Sequence, residues 1–388
     1  MITIQTADNA LKSFYLDAVA EALNTKTNPL LAQIEKTTAD VTGKDVRKAV
    51  KIGINGGIGA GSETGDLPTA SANDYVQFVA TLKNLYGTIE ISDKALRASA
   101  NNEGAFVNLL NEEMQSLIKS ASFNFGRMLF GDGSGKVATV NSVADNNVLY
   151  VDNVNGLAEG MIVDFYSSTG EALEDVRELK ILAVDREAKS IKMSGASLST
   201  IDIPIGSGVY VQSSFGHEIT GLGALFSNKD IYGVSRTKSV MKPYAQENVG
   251  AITEEIIQKA IDTIEENSGS KVNFIVCSWG VKRALVAYCR ANNIALPTVE
   301  VNGYKALEFN GIPVMADRFC PKGTMYLLNT DDFKLHQLCD WQWLEGEDGK
   351  ILKQIPGKPV YTATLVKYAE LMCERPCGQG RLIEIDEA

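Results

Sequence analysis

The sequence predicts an α+β protein that has several extended parts and one small all-β module. Three patterns predict this class. A long amphipathic helix pattern occupies residues 102–130, six short strand patterns separated by turn residues fall within 137–214, and helix and strand patterns alternate over 235–345. The chain has 388 residues, of which 45% are hydrophobic, so it is long enough for two or three domains with large cores.

The charge balance excludes some partners. The chain carries 48 acidic and 37 basic residues, a net charge of −11. This balance argues against a groove for sequence-independent DNA binding and against an anionic membrane surface, because both need clustered Lys and Arg. The sequence begins without a secretory signal and has no window of about 18 apolar residues, so we expect no membrane partner. Six cysteines without metal-site spacing indicate free thiols and synthesis in the cytoplasm.

Residues 1–50 have the pattern of a helical arm. Apolar residues at helical spacing between Leu11 and Leu23 predict one helix, which Asn28-Pro29 ends. Leu30, Leu31 and Ile34 predict a second short helix. Because short helices are marginal alone, the arm needs a surface to pack against.

Residues 51–92 predict an extended hairpin, and a long helix follows it. Six glycines lie between Gly53 and Gly65, and a strand-like run extends from Tyr75 to Ile91. A glycine-rich segment of this kind is either mobile or packed on another surface. The helix predicted over 102–130 ends at the glycines of 131–135, which do not continue a helix favourably.

The second half of the chain predicts a barrel and then a mixed region. The short strands of 137–214 suit a small barrel inserted between helical stretches. Farther on, Ser278 is placed to cap a helix, and the Asn-Gly pairs at 302–303 and 310–311 predict tight hairpins. Residues 340–388 return to strands, with Trp341 and Trp343 on one face.

A catalytic site is not indicated. The chain has two histidines, His217 and His336, and each is predicted to be an ordinary surface or hydrogen-bonded residue rather than a base. Glycines 131–135 and Lys136 resemble a phosphate loop, but Phe130 and Val137 stand where that motif needs Gly and Ser or Thr. Paired carboxylates on the predicted helices suit solvated faces. We therefore predict no catalytic residues, no cofactor, no metal site and no enzymatic activity.

Three stretches carry a resemblance to a known family. They are residues 82–99 leading into the long helix, residues 310–330, and Trp341–Leu344 followed by residues 355–361 and a final strand. In this order they resemble the major capsid protein of tailed bacteriophages, which has the Hong Kong 97 fold. The likeness covers most of the chain outside 137–214, and the β module resembles the insertion domains of some members.

The resemblance implies a division of the chain. It assigns 1–50 to an N-terminal arm, 51–92 to an extended loop, 93–136 to the spine helix region of the peripheral domain, 137–214 to an all-β insertion domain, 215–345 to the axial domain and 346–388 to closing peripheral-domain strands.

It also implies a function. The protein would self-assemble through hexamers and pentamers into the icosahedral capsid shell that encloses a phage double-stranded DNA genome. It would be made and assembled in the cytoplasm of a bacterial host and would reside in the virion capsid, near packaged DNA without specific binding. A separate scaffolding protein, a portal and decoration proteins are the expected partners. Loop residues Tyr75, Phe78 and Leu82 are the predicted intersubunit contacts.

Two alternatives remain open from the sequence. An encapsulin-type nanocompartment resembles the same fold and encloses enzymes instead of a genome. From a different class, an α/β enzyme centred on 235–330 would explain the alternation of helix and strand patterns there.

Overall fold

A computed structural model describes residues 28–95, 103–195, 197–294, 297–301, 303–346 and 349–388. The helix predicted between Leu11 and Leu23 lies outside these residues. The helices are α1 (Glu103–Met128), α2 (Leu222–Leu225), α3 (Glu254–Ser268) and α4 (Trp279–Ala291). The strands are β1 (Glu35–Thr37), β2 (Val41–Thr42), β3 (Asp45–Ile52), β4 (Asp74–Thr81), β5 (Lys83–Ser92), β6 (Lys136–Ala144), β7 (Val148–Val151), β8 (Ile162–Tyr166), β9 (Leu179–Asp185), β10 (Ser190–Met193), β11 (Gly208–Val211), β12 (Tyr244–Gln246), β13 (Phe274–Cys277), β14 (Thr298–Val301), β15 (Tyr304–Phe309), β16 (Ile312–Ala316), β17 (Met325–Leu328), β18 (Phe333–Trp343), β19 (Lys353–Gln354), β20 (Val360–Cys373) and β21 (Gly380–Leu382).

Helix α1 packs on a five-stranded sheet. The sheet has the order β1-β18-β20-β19, and β5 also pairs with β20, antiparallel over ten residues from Lys83 to Ser92. Apolar residues three or four positions apart along α1, such as Met114, Ile118 and Phe125, are buried against it. The helix is about 39 Å long at 1.5 Å per residue. Its period was readable from the sequence, and the helix predicted over 102–130 is present.

A seven-stranded sheet forms the second body of structure. Its order is β12-β21-β17-β13-β16-β15-β14, and α3 and α4 pack on it. The predicted cap is present, since Ser278 Oγ accepts a hydrogen bond from the Val281 N–H. Asn310 and Gly311 both have positive φ, 48° and 85°, in a two-residue turn between β15 and β16, as an Asn-Gly hairpin requires.

Six strands close into a barrel in the order β10-β7-β6-β11-β8-β9. They coincide with the six strand patterns of 137–214. The chain enters and leaves the barrel at one point, where the Gly216 N–H donates to the Ser134 carbonyl at 2.7 Å. Gly135 has φ +84°, and a Cβ there would lie 2.3 Å from the Ser214 carbonyl oxygen, so this crossing requires glycine. After the barrel, the Leu222 N–H donates to the Leu129 carbonyl at 2.8 Å, so the chain resumes where α1 ended.

The helical arm predicted for residues 1–50 is wrong over its described second half. Residues 31–33 form a single 3₁₀ turn, and β1, β2 and β3 follow it. Burial alternates along β3, with Val46 inside and Arg47 outside, which is the two-residue period of a strand. Helical spacing holds only for Leu30, Leu31 and Ile34, and all three are buried in the main core.

Two strands cross the division that the resemblance implies. Strand β18, within 215–345, pairs with β20 along most of its length and so belongs to the five-stranded sheet. Strand β21, within 346–388, pairs with β12 and β17 in the seven-stranded sheet. The physical reason is that sheet membership follows hydrogen bonding between distant segments, which sequence order does not fix.

A buried lysine, Lys367, belongs to a cluster of charged side chains in the five-stranded sheet. Lys367 on β20 donates to Asp340 Oδ1 at 2.6 Å and to Gln337 Oε1 at 2.9 Å, and Lys36 reaches the same Asp340 at 2.9 Å. Burial alone would raise the pKa of Asp340, but the two lysines hold it well below its ordinary value. Through Lys36, this cluster ties β1 to β18 and β20.

Glu370 gives the fold a pH dependence that can be measured. Burial raises its pKa to about 7, although hydrogen bonds from the Thr220 and Leu371 N–H groups, at 2.6 and 3.1 Å, favour the charged form. Between its ordinary value of 4.5 and about 7, the native state therefore keeps a proton that the unfolded state releases. Raising the pH through this window favours unfolding, by about 3 kcal/mol when complete.

We expect Glu370→Gln to remove this dependence, because a neutral amide keeps the acceptor oxygen and does not titrate. The free energy of unfolding, measured by urea denaturation at pH 5 and pH 8, should fall more in the wild type than in the variant. Asp317, whose pKa burial raises to about 6, titrates in both proteins and cancels in the comparison. Equal losses in the two proteins would contradict the assignment.

Candidate assembly surface

Strands β3 and β4 form a hairpin whose base is fixed to the rest of the chain. They pair antiparallel from Asp45 opposite Thr81 to Ile52 opposite Asp74. Phe78 is completely buried and stacks on Tyr232, with 5.5 Å between ring centres. The Val79 N–H also donates to the Tyr232 carbonyl at 3.0 Å. The base is therefore held by apolar packing and by the backbone.

An ion pair also holds the base. Lys48 Nζ on β3 lies 2.6 Å from Glu374 Oε1, just after β20. Burial opposes the charged lysine, but the hydrogen bond and the charge of Glu374 raise the pKa of Lys48. The pair is partly exposed, so its contribution to stability is at most about 1 kcal/mol. Its main effect is to fix where the hairpin leaves the body.

Residues 53–73, which we call the loop tip, have no support of this kind. All of them are described, and none of them is buried. Their hydrogen bonds are local, as between the Gly65 N–H and the Ser62 carbonyl at 3.2 Å. Yet the tip presents three large apolar side chains to solvent, Ile54, Ile58 and Leu67, which are 89%, 85% and 89% exposed. Single exposed apolar residues are ordinary, but three on one segment without a core make this segment a candidate interaction surface.

The predicted contact residues divide between two environments. Tyr75 is 62% exposed beside the loop tip and remains a candidate contact. Phe78 and Leu82 are 0% and 7% exposed and pack inside the chain with Val46 and Met372, so they offer no free surface. Alternation along β4 explains the difference between Tyr75 and Phe78, because odd and even positions face opposite sides of a strand. Leu82 lies just after β4 and packs in the same cluster as Phe78.

Sequence reasoning missed Ile54, Ile58 and Leu67 as candidate contacts. The available signal was that Ile54 and Ile58 lie among the six glycines, that Leu67 follows the last of them, and that none belongs to a periodic apolar pattern. Apolar residues in a segment that cannot form a core by itself are candidates for burial against another surface.

The two histidines do not form a catalytic arrangement. His217 Nδ1 lies 3.2 Å from the Ser213 carbonyl, and the buried His336 Nδ1 lies 3.1 Å from the Ala39 carbonyl. Burial lowers the pKa of His336. Over the described ranges, neither ring is hydrogen-bonded to a carboxylate or a serine hydroxyl, and no group of three potential metal ligands occurs. No helix among the described residues is long and apolar enough to cross a membrane.

Two substitutions on β4 should distinguish a core residue, Phe78, from an exposed candidate contact, Tyr75. We expect Phe78→Ala to destabilise the subunit by about 3–5 kcal/mol, because it leaves a cavity beside Tyr232. Tyr75→Ala should change the unfolding free energy by less than about 0.5 kcal/mol, because its side chain is exposed. Urea denaturation of the unassembled subunit measures both. A Tyr75→Ala variant as unstable as Phe78→Ala would show that Tyr75 is part of the core.

No protein-family model matches the sequence, and no curated protein matches it. Solved structures do match. One chain of the cyanophage A-1(L) capsid asymmetric unit aligns over 92% of this chain and 92% of its own length, with 12% identity and a TM-score of 0.57. The holo-SrpI encapsulin complex from Synechococcus elongatus aligns over 96% of this chain and 95% of its own with 12% identity, at a TM-score of 0.46. The capsid of an empty GTA particle aligns over 93% and 91% with 11% identity, at a TM-score of 0.49.

The chain therefore has the fold of phage capsid proteins, with mixed helices and sheets. Over nearly the whole of both chains, it is similar to the cyanophage A-1(L) capsid chain. The predicted resemblance to tailed-phage capsid proteins is confirmed at the level of the fold.

Proposed function

We propose that this protein is the structural subunit of an icosahedral capsid shell that encloses the double-stranded DNA genome of a tailed phage. The observation that carries the proposal is the β3–β4 hairpin, whose base is fixed to the body while the large apolar side chains of its loop tip are exposed. Such a tip gains stability only by burial on another surface, at about 25 cal/mol per Å² of apolar area.

Repeated head-to-tail contacts suit this geometry. A projecting tip on one side of a subunit that binds a different surface of the next makes a heterologous interface, and such interfaces close into rings. Pentamers and hexamers of this kind would form the shell. Specific interfaces bury on the order of 1,200–2,000 Å², so many of them together would resist internal pressure. The protein would then act through its geometry and not as an enzyme, and it would reside in the virion capsid.

The proposal assigns the elements to the Hong Kong 97 architecture. Helix α1 would be the spine helix on the peripheral sheet of β18, β20 and β5, and the β3–β4 hairpin would be the extended loop. The seven-stranded sheet with α3 and α4 would be the axial domain. The barrel would be an insertion domain, because its entry and exit lie side by side at Ser134 and Gly216 and the chain then resumes at the end of α1. The arm of residues 1–50 and partners such as a scaffolding protein, a portal and decoration proteins belong to the same proposal.

Negative-stain electron microscopy of the purified protein tests the proposal. We expect closed shells of uniform diameter, made of pentameric and hexameric rings. A population of monomers that stays monomeric at high concentration would overturn it. If shells form and contain packaged protein instead of nucleic acid after isolation from the native source, the encapsulin alternative replaces the phage genome as the content.

A further inference from the structure

A basic cavity lies between the barrel and the seven-stranded sheet. It has a volume of about 350 Å³, and four basic side chains line it. Arg186 comes from the barrel, Arg283 from α4, and Arg318 and Lys322 from the loop after β16. These residues are far apart in the sequence, so only the packing of the barrel against the sheet brings them together.

Local contacts fix the three guanidinium groups. Arg283 Nε donates to the Ala388 carbonyl at 2.6 Å, and Arg186 Nη1 lies 3.4 Å from the Val154 carbonyl. The guanidinium of Arg318 lies 4.8 Å from the ring centre of Phe123 and 5.1 Å from that of Phe319. Within the described part of the chain, neither these arginines nor Lys322 forms a salt bridge. Their remaining N–H groups are oriented in advance and available to an anion.

The acidic side chains of the cavity wall already have donors. Glu387 accepts hydrogen bonds from Ser278 Oγ and, at 2.8 Å, from the Gly323 N–H. Asp317 accepts one from the Phe319 N–H at 2.8 Å. The lining has four basic and two acidic side chains, although the whole chain has a net charge of −11. A multivalent anion bound in the cavity would therefore pair with these basic side chains.

An exposed aromatic side chain indicates which kind of anion the cavity binds. Trp279, the first residue of α4, lines the cavity and is 55% exposed, and Lys282 Nζ lies 5.7 Å from its ring centre. Arginine forks match the oxygens of phosphate, and an exposed aromatic ring offers a surface on which an unpaired base stacks. We propose that this cavity binds the phosphodiester backbone of nucleic acid, and prefers a single strand because Trp279 stacks on a base.

Fluorescence anisotropy of a short labelled oligothymidylate with the full-length protein tests this assignment. We expect Arg186→Gln and Arg318→Gln each to weaken binding about tenfold at low salt. Each should also make the slope of log K against log salt shallower by about 0.7 between about 50 and about 200 mM. Arg290→Gln is the control, because it also removes one arginine charge but lies at the far end of α4, outside the cavity. Thermal unfolding midpoints equal to the wild type show that the variants are folded.

Two further arms identify the ligand. Trp279→Ala should weaken oligothymidylate binding and leave the binding of inorganic polyphosphate unchanged, because polyphosphate has no base to stack. Polyglutamate of matched charge should compete poorly with oligothymidylate. If it competed as well as polyphosphate, the cavity would be a binding site for an acidic protein segment and the proposal would be overturned. Equal binding by the cavity variants and Arg290→Gln would overturn it as well. The binding measurement does not need assembled shells. If the protein formed no shells but its cavity variants still lost binding, the capsid proposal would fail and the nucleic-acid site would stand.

Discussion

Replacing residues 53–73 by an Asn-Gly turn should give a folded subunit that no longer forms shells. Ile52 and Asp74 are paired at the end of the hairpin, so a two-residue turn closes β3 onto β4 without shifting their register. Phe78, Tyr232 and the Lys48–Glu374 pair all lie below the cut and keep their contacts. We expect the unfolding free energy to stay within about 1 kcal/mol of the wild type, because none of the deleted residues is buried.

The readout is the yield of closed particles by sedimentation and negative-stain microscopy, and it should fall from the wild-type level to none detectable. A finer variant carries Ile54→Ser, Ile58→Ser and Leu67→Ser, which keeps the tip and removes its large apolar side chains. Its control is Leu182→Ser, on the exposed face of barrel strand β9 and away from the tip. Normal particles from the deletion would show that the tip has no part in assembly and would remove the main support for the proposed function.

Breaking the Arg127–Glu218 pair should destabilise the subunit by about 3–5 kcal/mol. Arg127 is at the last turn of α1, and Glu218 lies just after the barrel exit. The two side chains are 8% and 3% exposed and form two parallel hydrogen bonds, of which Nη1 to Oε2 is 2.9 Å. In Arg127→Met the carboxylate of Glu218 stays buried without its partner, which is the costly arrangement.

The matched control is the double variant Arg127→Met with Glu218→Met, which removes both charges together. Its free energy of unfolding should return to within about 1 kcal/mol of the wild type, because two apolar side chains replace a buried pair of similar size. Urea denaturation of the unassembled subunit measures all three proteins. If the single variant were as stable as the wild type, the pair would not be a buried ion pair in solution. If the double variant were as unstable as the single one, packing and not charge would explain the loss.

Local patterns predicted those elements whose contacts lie close in the sequence. The three- and four-residue spacing of α1, the Ser278 cap and the Asn310-Gly311 turn each depend on neighbours a few positions away, and each is present. The strands of 35–52 were missed because a helix pattern at Leu30, Leu31 and Ile34 was extended past Gln33, where the apolar period changes from about 3.6 to 2.

The candidate surface was predicted in part. Glycine content located the exposed segment, but Tyr75, Phe78 and Leu82 were grouped without regard to strand parity. Even-numbered positions of β4, including Phe78, face Tyr232 and the core, and the odd-numbered Tyr75 faces solvent. The exposed Ile54, Ile58 and Leu67 lie outside any strand, so no periodicity predicted their direction.

The sequence by itself determined the long helix, the barrel strands and the glycine-rich tip, because backbone preference and local spacing fix these; the order of its segments carried the resemblance to phage capsid proteins. Only the tertiary structure decided which charged side chains are buried and which residues from separate segments lie close together. Lys367 meets Asp340, Arg127 meets Glu218, and Arg186 joins Arg318 because separate segments pack at those points. A contact between residues far apart in the chain depends on how whole layers stack, and spacing along one strand or helix carries no record of that stacking.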